Sequence, residues 1–581
     1  MRTIFGIDLG TTNSCISWLN NGIPEVLSLD KSPLVPSVVS FDPQEIIVGS
    51  RARNRAVLYS DITVSSVKRV IGTDQTFPIR DQTYTPEDIS SYILSYLKTQ
   101  AGNVHKVEVK DVVITVPAYF SDAQRRATHK AGELAGLNVE RIINEPTAAA
   151  LFYTHTLIAN SPEQKDKYVL VYDLGGGTFD VSILRMGELT EVLASSGNTE
   201  LGGDDFDQVL IDVCLEEIMS QDGLDLRSHP PALARLKSAA EQAKIALSAH
   251  PFTTIEESLI PNPEDKDIHL SLEITREAFE QLIEPFLRTT KTEVKNALSE
   301  AGLPAQAIDN VLLVGGSTRI PAVISLLEEE FGSSRMPVVD PDLSVAKGAA
   351  IQGGIITGSH IHQVLIDVTP HTLSTEALTD DPNQRLQCIP IISRNTQIPV
   401  TRSEMFYTVA PQQRQVQVRV FQGESNVPDD NTLIGALDLA LAPAPESSPI
   451  LIEYSYDLNG IIHVKVEQKG YSRKREVDLD SSQRNQKFLE LDLEDDESKH
   501  GWEDDDDSLE DSEEENQNIT NFILHKARTI LKNTEDSAQR NTLQALITAY
   551  EQALQGADED AVDEAEEKLV DYLDELEDKG E

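Results

Sequence analysis

The run Val171-Tyr172-Asp173-Leu174-Gly175-Gly176-Gly177-Thr178-Phe179-Asp180-Val181-Ser182-Ile183-Leu184 constrains this chain more than any other. Two apolar, β-rich segments flank a glycine-rich turn, the pattern of a hairpin. Three consecutive glycines leave bare backbone N–H groups and no side chains in the way. That is what a phosphate chain needs to lie against main chain. Asp173 and Asp180 bracket the turn, where carboxylates can hold a hydrated metal or position a water. The device occurs twice: Ile4-Phe5-Gly6-Ile7-Asp8-Leu9-Gly10-Thr11-Thr12-Asn13-Ser14-Cys15-Ile16-Ser17 again passes from one strand through Asp-Leu-Gly into another. One such hairpin is an ordinary turn. Two facing copies suit a clamp that grips a phosphate chain from both sides.

At 581 residues the chain exceeds a single core, and three or four domains are expected. The net charge of −48 argues against nucleic acid and anionic membrane as partners. Cys15, Cys214 and Cys388 have unrelated spacings, which gives neither a disulfide framework nor a metal pattern and fits a reducing compartment. Met1-Arg2-Thr3-Ile4-Phe5-Gly6 runs into a strand without a signal-peptide pattern. No apolar run approaches membrane-spanning length, so a soluble, cytoplasmic protein is expected.

Residues 1–360 alternate β-rich runs with amphipathic helices, an α/β pattern. By residue type alone, Lys68-Arg69 is a solvated basic pair. Asp111 to Phe120 reads as a buried strand ended by Pro117, and Ser121 to Arg126 as a capped helix start. Glu145 sits at a strand end, where α/β proteins place site residues, although a helix-capping charge is the plainer reading. Glu241, Lys244 and Ser248 share one helical face. Val311 to Pro321 is a buried strand with a Gly-Gly turn, and Arg319 after it can stack on a base. Residues 361–368 form a short apolar linker. Beyond it, Gln415 to Gly423 alternates as a half-buried strand, and Ile450 to Val466 is a hairpin about Asn459-Gly460. A β-sandwich over 369–480 follows. Residues 490–515 hold sixteen acidic residues and one lysine, so 481–517 is expected to be a disordered linker before short helices over 518–581.

Taken in order, the two Asp-Leu-Gly hairpins, Asn144-Glu145-Pro146-Thr147, Val314-Gly315-Gly316-Ser317-Thr318-Arg319 and Val364-Leu365-Ile366-Asp367-Val368-Thr369-Pro370 make the chain resemble a DnaK-type chaperone. This is the seventy-kilodalton heat-shock family, and within it the chain looks most similar to the short, HscC-like branch. The resemblance implies an actin-like (ribonuclease H-like) ATPase domain, a β-sandwich that holds extended peptide, and a helical lid. It implies ATP as substrate and Mg2+ as cofactor. In that frame Lys68 and Glu145 are the catalytic pair, Thr178 contacts the γ-phosphate, and Asp8, Asp173 and Asp180 surround the metal and the water. Asp8 and Asp173 reach the metal through water. Gly10, Thr11, Thr12 and Asn13 form the first phosphate loop. Gly175, Gly176, Gly177, Gly202, Gly203, Gly315, Gly316 and Ser317 lie along the nucleotide. Glu241, Lys244, Ser248, Arg319 and Asp342 make the adenosine pocket. Pro117, Arg125, Leu365 and Asp367 belong to an interdomain relay, and Arg141 and Asn144 to a J-domain contact surface. Leu378, Phe406, Val409, Val416 and Val418 line the peptide cleft. Implied partners are unfolded or extended polypeptides, a J-domain co-chaperone and a nucleotide exchange factor, acting on a monomer.

Several positions depart from the family. Only twelve residues separate Gly72 from Thr85, where a much longer segment is usual, so one lobe is trimmed. His362 and Gln363 stand where an acidic and an apolar residue are usual, and His371 and Thr375 replace apolar residues. Two rivals share the superfamily. A small-molecule kinase would need an acceptor site with a base and would lack the tethered sandwich. A filament former would conflict with the sandwich and the charge.

Overall fold

In a computed structural model the chain is described over residues 2–378 and 386–478, apart from 30, 161–165, 188, 265, 338, 360–363 and 472. It is also described over 537–553 and at 527, 565, 568, 569 and 572. It forms two compact units, Met1–Lys487 and Phe488–Glu581.

The first unit grows from the doubled hairpin. Ile4–Asp8 pairs antiparallel with Asn13–Asn20, and Lys167–Leu174 pairs antiparallel with Phe179–Met186, setting Asp173 opposite Asp180. Each first arm takes a parallel neighbour on its far side, Asp111–Val116 in one sheet and Asn310–Val314 in the other. Each second arm takes an antiparallel one, Ile23–Val26 and Leu189–Asn198. The two sheets repeat one plan, so Asp8 and Asp173 occupy equivalent strand ends.

Two helices, Glu145–Asn160 and Ser344–Ile356, cross between the sheets. Their closeness needs glycine: a Cβ on Gly348 would fall 1.7 Å from the Ala148 carbonyl oxygen, and one on Gly6 would fall 2.3 Å from the Ala350 nitrogen. Helix Asp122–Leu134 starts with a reciprocal cap between Ser121 and Gln124, and Pro86–His105 with one between Thr85 and Asp88. The trimmed segment before Thr85 is a small hairpin, Phe77–Ile79 with Gln82–Tyr84.

The linker, expected as an apolar connector, is a strand from Val364 onward. Val364–Val368 runs parallel to Leu189–Asn198, and Asp367 and Val368 pair in turn with Gln397–Ile398. One six-stranded sheet therefore runs from the α/β part into the next part. Leu365 and Val368 pack into the apolar core shared by the two lobes. His362 and Gln363 lie outside the described residues.

Beyond the linker, two four-stranded antiparallel sheets face each other. Strand Pro449–Tyr456 shows why: Ile450, Ile452, Tyr454 and Tyr456 are buried while their neighbours are half-exposed, the period of a sheet with one face on a core. In the second unit, helix Ser537–Ala553 buries Leu543, Ile547 and Tyr550 along one stripe. The acidic block 490–515 and the start of the expected helical stretch, 518–526, lie outside the described residues. Among the described residues no helix is long and apolar enough to cross a membrane.

Candidate functional site

A cleft of about 740 Å³ opens between the two lobes at the carboxyl ends of the first arms. Asp8, Asp173, Glu145 and Lys68 line its floor, and Gly10, Thr11, Thr12, Asn13, Gly175, Gly176 and Thr178 line its sides. Glu241, Lys244 and Ser248 line it from helix Pro230–Ala249. Gly315, Gly316, Ser317, Arg319 and Asp342 close the other wall, beside Leu34, Ile245, Ala249, Ile320 and Ile324. A polar floor and a partly apolar mouth suit a ligand with a charged end and a flat, less polar end.

Gly177, Gly202 and Gly203 are not on the lining. They let the walls fit together. A Cβ on Gly202 would meet the Gly176 carbonyl at 2.6 Å, one on Gly203 would meet Ser317 Oγ at 2.5 Å, and one on Gly177 would meet Thr11 Cγ2 at 2.8 Å. The first N–H groups of helix Gly203–Asp222 instead bond to the wall: Gly203 donates to the Gly175 carbonyl at 2.9 Å and Asp204 to that of Gly176 at 2.7 Å. Gly315 adopts φ +81, and a Cβ there would sit 2.4 Å from the Leu174 carbonyl oxygen.

Lys68 is buried, contrary to the solvated basic pair that its type suggests, and pairs with Glu145 Oε1 at 2.5 Å. Asp8 accepts from Thr115 Oγ1 at 3.1 Å, and burial, then repulsion from Glu145, pushes its carboxyl up to about 7. The same two causes push Asp173 well up and Asp180 to about 7. Asp180 sits behind the cleft lining, its Oδ1 held by the Tyr119 backbone N–H at 2.9 Å. Four carboxylates thus share one lysine, and the raised proton affinity of Asp8, Asp173 and Asp180 is the mark of a site short of positive charge. Among the described residues no three such side chains converge to bind an ion directly. A hydrated divalent cation that also takes phosphate oxygens fits this donor set.

At the mouth, Lys244 Nζ donates to the Gly203 carbonyl and to Asp207 Oδ2, both at 2.8 Å, and Arg319 pairs with Asp342 at 2.6 Å. Glu241 pairs across the cleft with Arg53 at 2.5 Å. Sequence reasoning missed Arg53, Asp207 and Tyr119. Their partners lie tens of residues or more away in the chain, and no local pattern announces them.

Residue 144 joins the cleft to the linker. Asn144 precedes Glu145 and donates from Nδ2 to Asp367 Oδ2 at 2.8 Å; Thr147 Oγ1 donates to the same oxygen at 3.1 Å. Arg125 donates to Asn144 Oδ1 at 2.6 Å and to the Ala118 carbonyl beside Pro117. The sandwich meets this face directly. Arg126 donates to the Ile462 carbonyl, the Ile142 N–H donates to Asn459 Oδ1, and Arg394 pairs with Glu300 at 3.0 Å. Arg141 lies on strand Asn138–Asn144.

In the sandwich, Val418 is fully buried, Val416 and Phe406 are half-buried against the core, and Leu378 and Val409 are exposed. Leu386, opposite Leu378, and Tyr407 are further exposed apolar side chains there. Thr375 is buried and donates to the Arg419 carbonyl at 2.9 Å. With this geometry in view, comparison with known families is decisive. A family model described as Hsp70 protein matches residues 4–580. The chain belongs to the Hsp70 family, whose members are ATPases that use magnesium and act as chaperones on unfolded polypeptides with co-chaperones.

Proposed function

We propose that this chain binds and releases extended apolar segments of unfolded polypeptides, with ATP hydrolysis coupled to peptide affinity through the linker strand. The observation that carries the reading is the join at residues 144 and 145: Glu145 lines the cleft while Asn144 holds the linker carboxylate Asp367. A change at the floor of the cleft is one peptide bond and one hydrogen bond from the linker.

Lys68 and Thr178 stabilise charge at the transferred phosphoryl group, and Glu145 and Asp180 orient the attacking water. Phosphoryl transfer to water needs positioning and charge neutralisation more than covalent chemistry. Asp8 and Asp173 would hold hydrated magnesium, which neutralises phosphate charge when bound. The two glycine-rich turns leave their N–H groups for phosphate oxygens, and Arg319 with Ile245 flanks the base. Leu378, Phe406, Val409, Val416 and Val418 contribute the peptide cleft, and the exposed apolar side chains near them support that role. Arg141 and Asn144 contribute to a J-domain contact, and an exchange factor acts on the lobes. The short segment before Thr85 supports the HscC-like branch, working as a cytoplasmic monomer.

The deciding experiment measures phosphate release with and without a permanently unfolded polypeptide. Stimulated turnover is expected. Unchanged turnover, together with phosphate appearing on a sugar or small acid, would turn the assignment to a small-molecule kinase.

A further inference from the structure

His371, singled out as a departure from the family, sits where the sandwich touches the α/β part. Its Nε2 is 3.2 Å from the Tyr119 carbonyl oxygen, and the two rings meet edge-on, centroids 4.2 Å apart at 65°. The N–H of the same Tyr119 residue donates to Asp180 Oδ1 at 2.9 Å. One residue of backbone therefore stands between a side chain of the sandwich and a carboxylate behind the cleft. We propose that His371 is a positioning residue for ATP hydrolysis: docked on Tyr119, it holds Asp180 in a restrained position, and binding of a proton to the imidazole breaks the hold by opposing docking. The inference deepens the ATPase reading above and rests on it.

Only a ring protonated at Nε2 can donate to the carbonyl, and burial keeps the docked imidazole neutral, with its lone pair on Nδ1. Charged groups face it from each side. Arg394, from the sandwich, lies 5.6 Å from the Tyr119 ring centroid and pairs with Glu300. Glu424, also of the sandwich, accepts from the Thr372 N–H and hydroxyl. Arg125 approaches from helix Asp122–Leu134. The carbonyl and Glu424 favour a proton on the ring, whereas Arg394 and Arg125 oppose it. Burial outweighs them all and pushes the imidazole down to about 4. Once undocked, the ring meets water and returns to its ordinary value near ~6.5.

The sign follows. The group binds its proton more tightly undocked, so docking is at full strength above about pH 6.5 and is lost as pH falls toward 4. Between pH 7.5 and 5.5 this group by itself should lower the docking equilibrium about tenfold. The contact fixes the Tyr119 backbone in place, and with it the N–H that holds Asp180. Loss of that bond should free the carboxylate to orient water, and hydrolysis should quicken.

The test uses the full chain with magnesium and ATP, one fluorophore on each half to report docking, and single-turnover hydrolysis at pH 7.5. Three proteins are compared: wild type, His371→Gln, which keeps a donor but does not titrate, and His371→Leu, which keeps bulk but no donor. Relative to either variant, wild type should lose docking about tenfold between pH 7.5 and 5.5, because the buried carboxyls of Asp122 and Asp367 titrate alike in all three proteins. His371→Leu should hydrolyse ATP several-fold faster than wild type, and His371→Gln should return toward it. Variants that keep the wild-type pH slope, or a Leu variant no faster than the Gln one, overturn the inference alone. Wild-type halves that ATP does not dock at pH 7.5 overturn the coupled-chaperone reading as well.

Discussion

At the residue scale, Lys68 shows how much a side chain's neighbours decide. Its type and local sequence suggest a surface charge, yet it is 4 % exposed and paired to Glu145. A buried cation among four carboxylates belongs to function more than to stability. Lys68→Ala should lower hydrolysis by about 10² or more, the scale of losing one transition-state donor, while nucleotide still binds. Near-normal single-turnover rates in that variant would remove Lys68 from the mechanism. The carboxylates allow a second prediction. Asp180 is held at about 7 in the fold against 3.8 when unfolded, so between those values the folded chain keeps a proton that the unfolded chain has lost. This site therefore costs stability increasingly as pH rises from about 4 through 7. Asp180→Asn cannot ionise, and its amide oxygen can still accept from Tyr119. Without nucleotide it should melt higher than wild type at pH 8, and the difference should vanish towards pH 4. A difference independent of pH would place the strain elsewhere.

At the element scale, the doubled hairpin was legible because glycine and aspartate are spaced by local backbone demands that the chain spells out. The carboxylates Asp8 and Asp173 could be placed at strand ends for the same reason. What sits behind the hairpins was not legible. Gly202 and Gly203 look like ligand-facing glycines in one dimension, but their bare faces are spent on Gly176 and Ser317. The linker was legible as apolar and not as a strand, since its partners Leu189 to Glu191 lie about 175 residues earlier in the chain. That pairing sharpens a prediction. Leu365 packs into the core between the lobes and Asp367 is held by Asn144 and Thr147. Leu365→Asp with Asp367→Asn should peel the strand away, so that ATP no longer accelerates peptide release while both halves stay folded. Retained acceleration would reduce the strand to a tether. In the sandwich, Val416 is half-buried at the edge of the core, where added bulk has somewhere to press. Val416→Phe should weaken peptide affinity by at least ~1 kcal/mol, a lower bound on overpacking; titration of a labelled apolar peptide reads this directly.

At the scale of the whole first unit, charge opposes what contacts achieve. Residues 1–360 carry 49 acidic and 30 basic side chains, and residues 361–480 carry 16 and 10. Both halves are negative, so they repel over distances at which no contact acts. Against this stand the linker ladder and a few polar contacts, among them Arg394 with Glu300 and with the Ser195 carbonyl at 2.7 Å. A partly exposed ion pair contributes roughly 0–1 kcal/mol. Repulsion between two such bodies some tens of ångströms apart reaches several kcal/mol at low salt and is largely screened once the Debye length falls to about 10 Å near 0.1 M. The long-range term should therefore win at low salt. Docking in saturating ATP, read from a fluorophore on each half, should strengthen as salt rises from about 0.02 to 0.2 M. Arg394→Glu adds an anion facing Glu300, so it should undock the halves at low salt and recover in part at high salt. Exchanging the pair, Arg394→Glu with Glu300→Arg, should regain part of the docking that Arg394→Glu loses at low salt, the bond to the Ser195 carbonyl staying lost. If docking of the wild-type chain instead weakens steadily with salt, the local pairs outweigh the repulsion, and the acidity of the two halves has no bearing on when they separate.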